Sequence, residues 1–108
     1  MEKYNWEKIN WKELFDNKNN TFHCETEEIA NEFLKIVHEH GYEWSSGHSY
    51  LLYNYWDTFR ENTCYWIGDS TYDRLEYFQT QTDCVIINVN DNLNGVRRPF
   101  KLNRNERN

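Results

Sequence analysis

The chain reads as an α+β domain. One main helix, over about residues 26–40, is expected to pack on one face of an antiparallel sheet of about four to five strands, with a short helix near the N-terminus. Three observations predict this. Residues 21–47, TFHCETEEIANEFLKIVHEHGYEWSSG, combine a helix start, a helical period and a helix stop. The segments after them alternate or run apolar as strands do, and are rich in rings. The connections after Trp44 are short, which favours hairpins.

The main helix is the best specified element. Thr26 fits its N-cap, where the hydroxyl can accept from a first-turn amide that otherwise lacks a partner. Glu27 and Glu28 place negative charge at the positive end of the helix dipole. Ile29, Ala30, Phe33, Leu34 and Val37 recur on one stripe at 3.6 residues per turn. Glu28, Glu32, Lys35 and Glu39 point into water. Gly41 suits the left-handed C-terminal cap, and Tyr42 is placed to fold back over Val37.

The other elements follow in order. Asn10, with Glu13 three residues on, fits a capping box for a short helix that docks Trp11, Leu14 and Phe15. Residues 16–20 form a turn. Phe22 and Cys24 alternate with His23 as a short strand, and Tyr42 and Trp44 read as another. Ser45, Ser46 and Gly47 turn the chain. Residues 50–53 continue as strand, and residues 54–62 form a loop or a single helical turn. TCYWI, residues 63–67, has high strand propensity. Gly68, Asp69 and Ser70 turn again. Residues 72–78 read as a strand, with Asp73, Leu75 and Tyr77 on one parity and Tyr72, Arg74, Glu76 and Phe78 on the other. CVIINV over 84–89 reads as a buried strand, and 91–95 as a turn. Residues 1–95 make the expected globular domain. Residues 96–108, basic and with the sole proline at Pro99, make an expected mobile tail.

The totals bound the function. A chain of 108 residues is one domain by length, and an 18% aromatic content can build a core from few residues. Asp and Glu number 18 against 12 Lys and Arg, a net charge of −6, which is the wrong balance for gripping a phosphate backbone. A basic protein surface would suit it better, although acidity also serves plain solubility. No apolar run approaches a membrane span, and MEKYNWEKIN lacks the apolar core of a secretion signal, so a cytoplasmic location is expected. Cys24, Cys64 and Cys84 have no metal-type spacing and read as buried small apolar side chains.

No catalytic signature emerges. His38 and His40 lie two apart on a helix and cannot share a metal, and the zincin pattern His-Glu-x-x-His is absent. His23 and Cys24 are neighbours in a strand and point to opposite faces, which opposes a Cys–His nucleophile. No carboxylate pair is singled out for acid–base work. No cofactor, metal or catalytic residue is therefore assigned. The helix start, with amides near Thr26 and His23, could hold a phosphate, but the glutamates there favour an ordinary cap. The rings exceed what a core needs. Exposed Tyr and Trp suit stacking on a base or anchoring a protein, and residues 50–56 are the place to look for such a surface.

Several segments together resemble a family of small phage and prophage proteins: NWKELF, FHCETEEIANEFL, GYEWSSG, YWDTF, TCYWI, LEYF and CVIINV, spanning residues 10 to 90. The resemblance implies an accessory phage protein of the counter-defence type, acting in the host cytoplasm. Two modes are implied. In the first, a non-enzymatic protein sequesters a nucleotide-type immune signal. Trp44 or Trp56 would stack on the base, backbone amides with Thr26, Ser45, Ser46 and Gly47 would hold phosphate or ribose, and His23 and Tyr65 would complete the ligand-binding set. Rapid sequestration would call for an oligomer or a deep pocket, and an enzyme that hydrolyses the same signal is the alternative to sequestering it. In the second, an anti-CRISPR-type inhibitor binds a Cas effector or another defence protein through an acidic, aromatic surface. Nucleic acid and membrane are disfavoured as partners.

Overall fold

The computed structural model describes residue 6, residues 9–81 and 83–90, and the backbone of residues 101–102. The expected turn at 91–95, and the expected mobile tail apart from residues 101–102, lie outside these residues. The elements are α1 (Trp11–Asp16), β1 (Asn20–His23), α2 (Glu27–Glu39), α3 (Trp56–Phe59), β2 (Thr63–Trp66), β3 (Thr71–Arg74), α4 (Leu75–Gln79), β4 (Val85–Asn88) and β5 (Lys101–Leu102). Short 3-10 turns, Arg60–Asn62 and Ile67–Asp69, precede and follow β2.

The fold is α+β, and its sheet is mixed. Four strands run in the order β3-β2-β1-β4, with the two residues of β5 paired along β4. The β1–β2 and β2–β3 pairs are antiparallel. β1 and β4 are parallel, with Phe22 opposite Ile87, which corrects the purely antiparallel expectation. The chain leaves β3 at one edge and recrosses the sheet through α4. It therefore reaches the far side of β1 running in β1's own direction, which no hairpin could do.

α2 forms where its sequence demands. Thr26 Oγ1 accepts from the amide of Ile29, and Ile29, Ala30, Phe33, Leu34 and Val37 are all buried. At the other end Gly41 sits at φ +91°, its amide donating to His38 O while the Tyr42 amide donates to Val37 O. These two bonds close a Schellman cap, and the conformation requires glycine. α1 is capped by Asn10 Oδ1, which accepts from Glu13 N. It brings Trp11 and Phe15 onto Phe33.

Alternation along the strands divides the interior. Phe22, Tyr65, Ile87 and Val89 face α1 and α2 in the main core. Cys64 and Cys84, with Trp66 and Ile86 beside them, face the other way and are covered by Phe78 and Leu75 of α4. The strand expected over residues 72–78 is thus a strand as far as Arg74 and a helix from Leu75 on, and the sheet is covered on both faces. Leu75 and Phe78, three apart, share a helical face as readily as they would break a strand's alternation.

Two more expected strands are absent. Residues 42–44 make only an isolated bridge between Glu43 and Ser49, residues 50–52 form a turn, and Tyr53 is irregular. Both lie in the connection from α2 to α3.

Candidate functional site

The connection between Gly41 and Trp56 is a built loop. Trp44 N donates to His48 O at 3.0 Å, and Gly47 N to Trp44 O at 2.8 Å, closing a turn in which Gly47 takes φ +90°. A second turn follows: Leu52 N donates to Ser49 O, and Leu51 N to Ser49 Oγ. Ser49 Oγ also lies 3.3 Å from His38 Nδ1 on α2.

Buried rings hold this loop from beneath. The Trp44 and Tyr50 rings pack 4.3 Å apart, and Trp44 Nε1 donates to Tyr53 O at 2.9 Å. Tyr65 Oη, arriving from β2, donates to Asn54 O at 2.7 Å. The Asn54 side chain spans the loop and α2: its Nδ2 donates to Glu27 Oε2 and Asn31 Oδ1, while its Oδ1 accepts from Trp56 N. Tyr55 takes a left-handed backbone at φ 54°, a strained setting for a bulky residue. Its ring lies flat on Tyr72, 4.7 Å away and 7° from parallel, and also stacks with Tyr53 at 5.7 Å. Phe59 and the Arg74 guanidinium continue this line of groups.

On this base the loop presents Leu51, Leu52 and Tyr53, which are 57%, 65% and 45% exposed. Among the described residues the only other large exposed apolar side chain is Tyr77 on α4. Two adjacent leucines of such exposure, followed by a half-exposed tyrosine stacked on Tyr55, form an apolar run on the loop. Exposed carboxylates stand around its base: Glu27 through Asn54, Glu43 opposite Ser49, and Asp57 in α3. The one ion pair among the described residues, Lys12 with Asp16, involves none of them.

The residues expected to bind divide between scaffold and surface. Trp44, Trp56 and Tyr65 are 5%, 7% and 0% exposed, so none offers a free face for stacking on a base. Burial raises the Tyr65 phenol far above the ordinary range and pushes Tyr50 up to about 12. Ser45, Ser46 and Gly47 are exposed in the first turn, with Ser46 Oγ 2.8 Å from His48 Nδ1. Thr26 is the cap of α2, and its hydroxyl is engaged there. His23 lies on the sheet with Nε2 2.7 Å from Glu61 O and Nδ1 3.3 Å from Asn88 Nδ2, contacts that assign the proton to Nε2. Among the described residues no hydrogen bond or ring contact joins His23 or Thr26 to the 45–47 turn.

Buried thiols complete the picture. Cys24 and Cys64 are fully buried, and desolvation raises both well above the usual thiol range, which keeps them protonated and unreactive. No helix among the described residues is long and apolar enough to cross a membrane.

Leu51 and Leu52 were the residues that a strand reading hid. One signal could have exposed them: adjacent leucines in a strand cannot both face one core.

Comparison with protein-family models, with curated proteins and with solved structures gives no match.

Proposed function

We propose that this chain is a non-enzymatic phage counter-defence protein that acts by docking on a host defence protein, of which a CRISPR effector is the type case. The observation that carries the reading is the exposed run Leu51-Leu52-Tyr53 on a hydrogen-bonded, ring-supported loop. Exposed adjacent leucines cost nothing to the fold yet invite association, so their presence on a built loop fits a contact surface. The loop composition agrees. Residues 44–55, WSSGHSYLLYNY, concentrate Tyr, Ser, Gly and Asn, the residue types that dominate binding loops because they give large contact area and adaptable hydrogen bonds. The excess of acidic residues matches a basic counterpart.

Sequestration of a nucleotide is less well supported by this arrangement. It needs a free ring face beside a phosphate site, and the rings assigned to it are buried.

The test sets the two modes side by side. Purified chain is titrated into cleavage assays of purified CRISPR and other defence nucleases, and separately, by calorimetry, with cyclic nucleotides and ADP-ribose derivatives. Docking predicts that one nuclease is inhibited at about equimolar protein, with no heat from any nucleotide. Stoichiometric heat from a nucleotide, with every nuclease unaffected, would overturn the reading in favour of sequestration.

A further inference from the structure

The tip and its surroundings specify the partner's chemistry, given the docking reading above. Leu51 and Leu52 are both more than half exposed, and Tyr53 beside them adds a partly exposed ring with a hydroxyl edge. The loop beneath is tied by hydrogen bonds within the chain itself. Trp44 Nε1 holds the Tyr53 carbonyl, Tyr65 Oη holds the Asn54 carbonyl, and the Asn54 side chain ties the loop to α2. The stack of Tyr53 on Tyr55 on Tyr72 limits the tyrosine ring itself. A tip ordered in this way loses little conformational freedom on binding, which is how small apolar anchors gain affinity.

Charge then selects among occupants. Glu27, Glu43 and Asp57 are exposed around the loop, against Arg60 just after α3 and Arg74 over Phe59. Glu28, Glu32 and Glu39 extend along the outer side of α2 with Lys35 as the only Lys or Arg of that helix, so carboxylates outnumber cations there. A second copy of the chain would bring the same carboxylates against these. A phosphate backbone or an anionic bilayer would be repelled likewise. A protein pocket with an apolar floor and a rim of Lys or Arg answers both the leucines and the carboxylates.

We infer that residues 51–53 form a preorganised apolar plug that enters a pocket on a folded protein, with the surrounding glutamates and Asp57 meeting cationic side chains at that pocket's rim. Leu51 and Leu52 provide most of the holding free energy, and the carboxylates govern the association rate and its dependence on salt.

The experiment places the photo-crosslinking residue p-benzoylphenylalanine at position 52 of the full chain, and in a separate variant at position 77. Tyr77 is exposed too, but on α4, which covers the opposite face of the sheet. Both variants are irradiated in cells carrying active defence systems, and the crosslinked peptides are sequenced. The inference expects an adduct from position 52 and none from position 77. The partner peptide should line an apolar pocket bordered by Lys or Arg. With that partner purified, Leu52→Asp should weaken binding by roughly thirtyfold or more, Tyr77→Ser by less than about twofold, and added salt should slow association. An adduct from position 77 alone would overturn the plug while leaving protein docking standing. No protein adduct from either position would overturn both. An adduct to the chain's own peptides, or a partner surface without cationic side chains, would overturn the inferred chemistry.

Discussion

At the residue scale, two side chains separate support from contact. Trp44 is buried and donates to the Tyr53 carbonyl, whereas Leu52 is 65% exposed and touches little. Trp44→Phe removes the donor and leaves a void, and is expected to destabilise the fold by about 2 kcal/mol or more. Leu52→Asp is expected to change stability by less than about 0.5 kcal/mol, since nothing in the fold depends on it. Urea unfolding of both variants checks the pair, and equal losses would mean that the leucine is part of the core. Gly68 gives a third residue-scale prediction. A Cβ there would lie 2.6 Å from Lys18 O and 2.8 Å from Lys18 Cα, both backbone atoms, and that same carbonyl accepts from Trp66 Nε1 at 2.7 Å. Gly68→Ala must push the segments apart, with an expected loss of about 1–3 kcal/mol seen as a lower urea midpoint at unchanged slope.

At the element scale, α2 rests on a cap that can be tested alone. Thr26→Ala removes the acceptor for the Ile29 amide, and a loss of about 1 kcal/mol is expected. Thr26→Ser keeps the oxygen and should recover most of it; failure of that recovery would show that the methyl group, not the cap, matters. The same local signals explain which elements were legible in the sequence. α2 was legible because cap, period and stop lie within one segment. β1, β2 and β4 were legible from propensity and apolar runs. The parallel pairing of β1 with β4 was not, because it joins Thr21 to Ile86 across the chain and no local pattern encodes which strand lies beside which. Over 72–78 the alternation held to Arg74, but Leu75 and Phe78 lie on one helical face, and their packing against Cys64 and Cys84 made the second half a helix. The loop was half legible. Its richness in rings marked residues 50–56, but which rings would be buried depended on the long-range bonds from Tyr65 to Asn54 and from Asn54 to α2.

At the scale of the whole molecule, the two cores share one electrostatic property. Cys24 and Tyr65 lie in the main core and Cys64 in the smaller one, and burial raises all three, with Tyr50 raised to about 12. Each group holds its proton more tightly in the folded chain than in the unfolded one. Between the ordinary thiol and phenol values of 9.0 and 10.0 and the raised folded values, the unfolded chain binds fewer protons. Stability therefore falls as pH rises through this window, by about 1.4 kcal/mol per pH unit for each group fully within it. Below the ordinary thiol value these groups contribute no slope. Urea midpoints should be flat with respect to them from neutral pH to about pH 8.5 and then decline steeply towards pH 11. Cys24→Ala should make the decline shallower by one group's share even though it lowers stability at neutral pH. A thiol reagent at pH 8 should modify native Cys24 and Cys64 no faster than the chain opens, because the reactive thiolate forms only when the covering strands and helices part. A profile that stays level to pH 11, or rapid labelling of the native thiols, would mean that water reaches the interior between α2 and the sheet. The ring-supported loop would then lose the rigid base on which its plug depends.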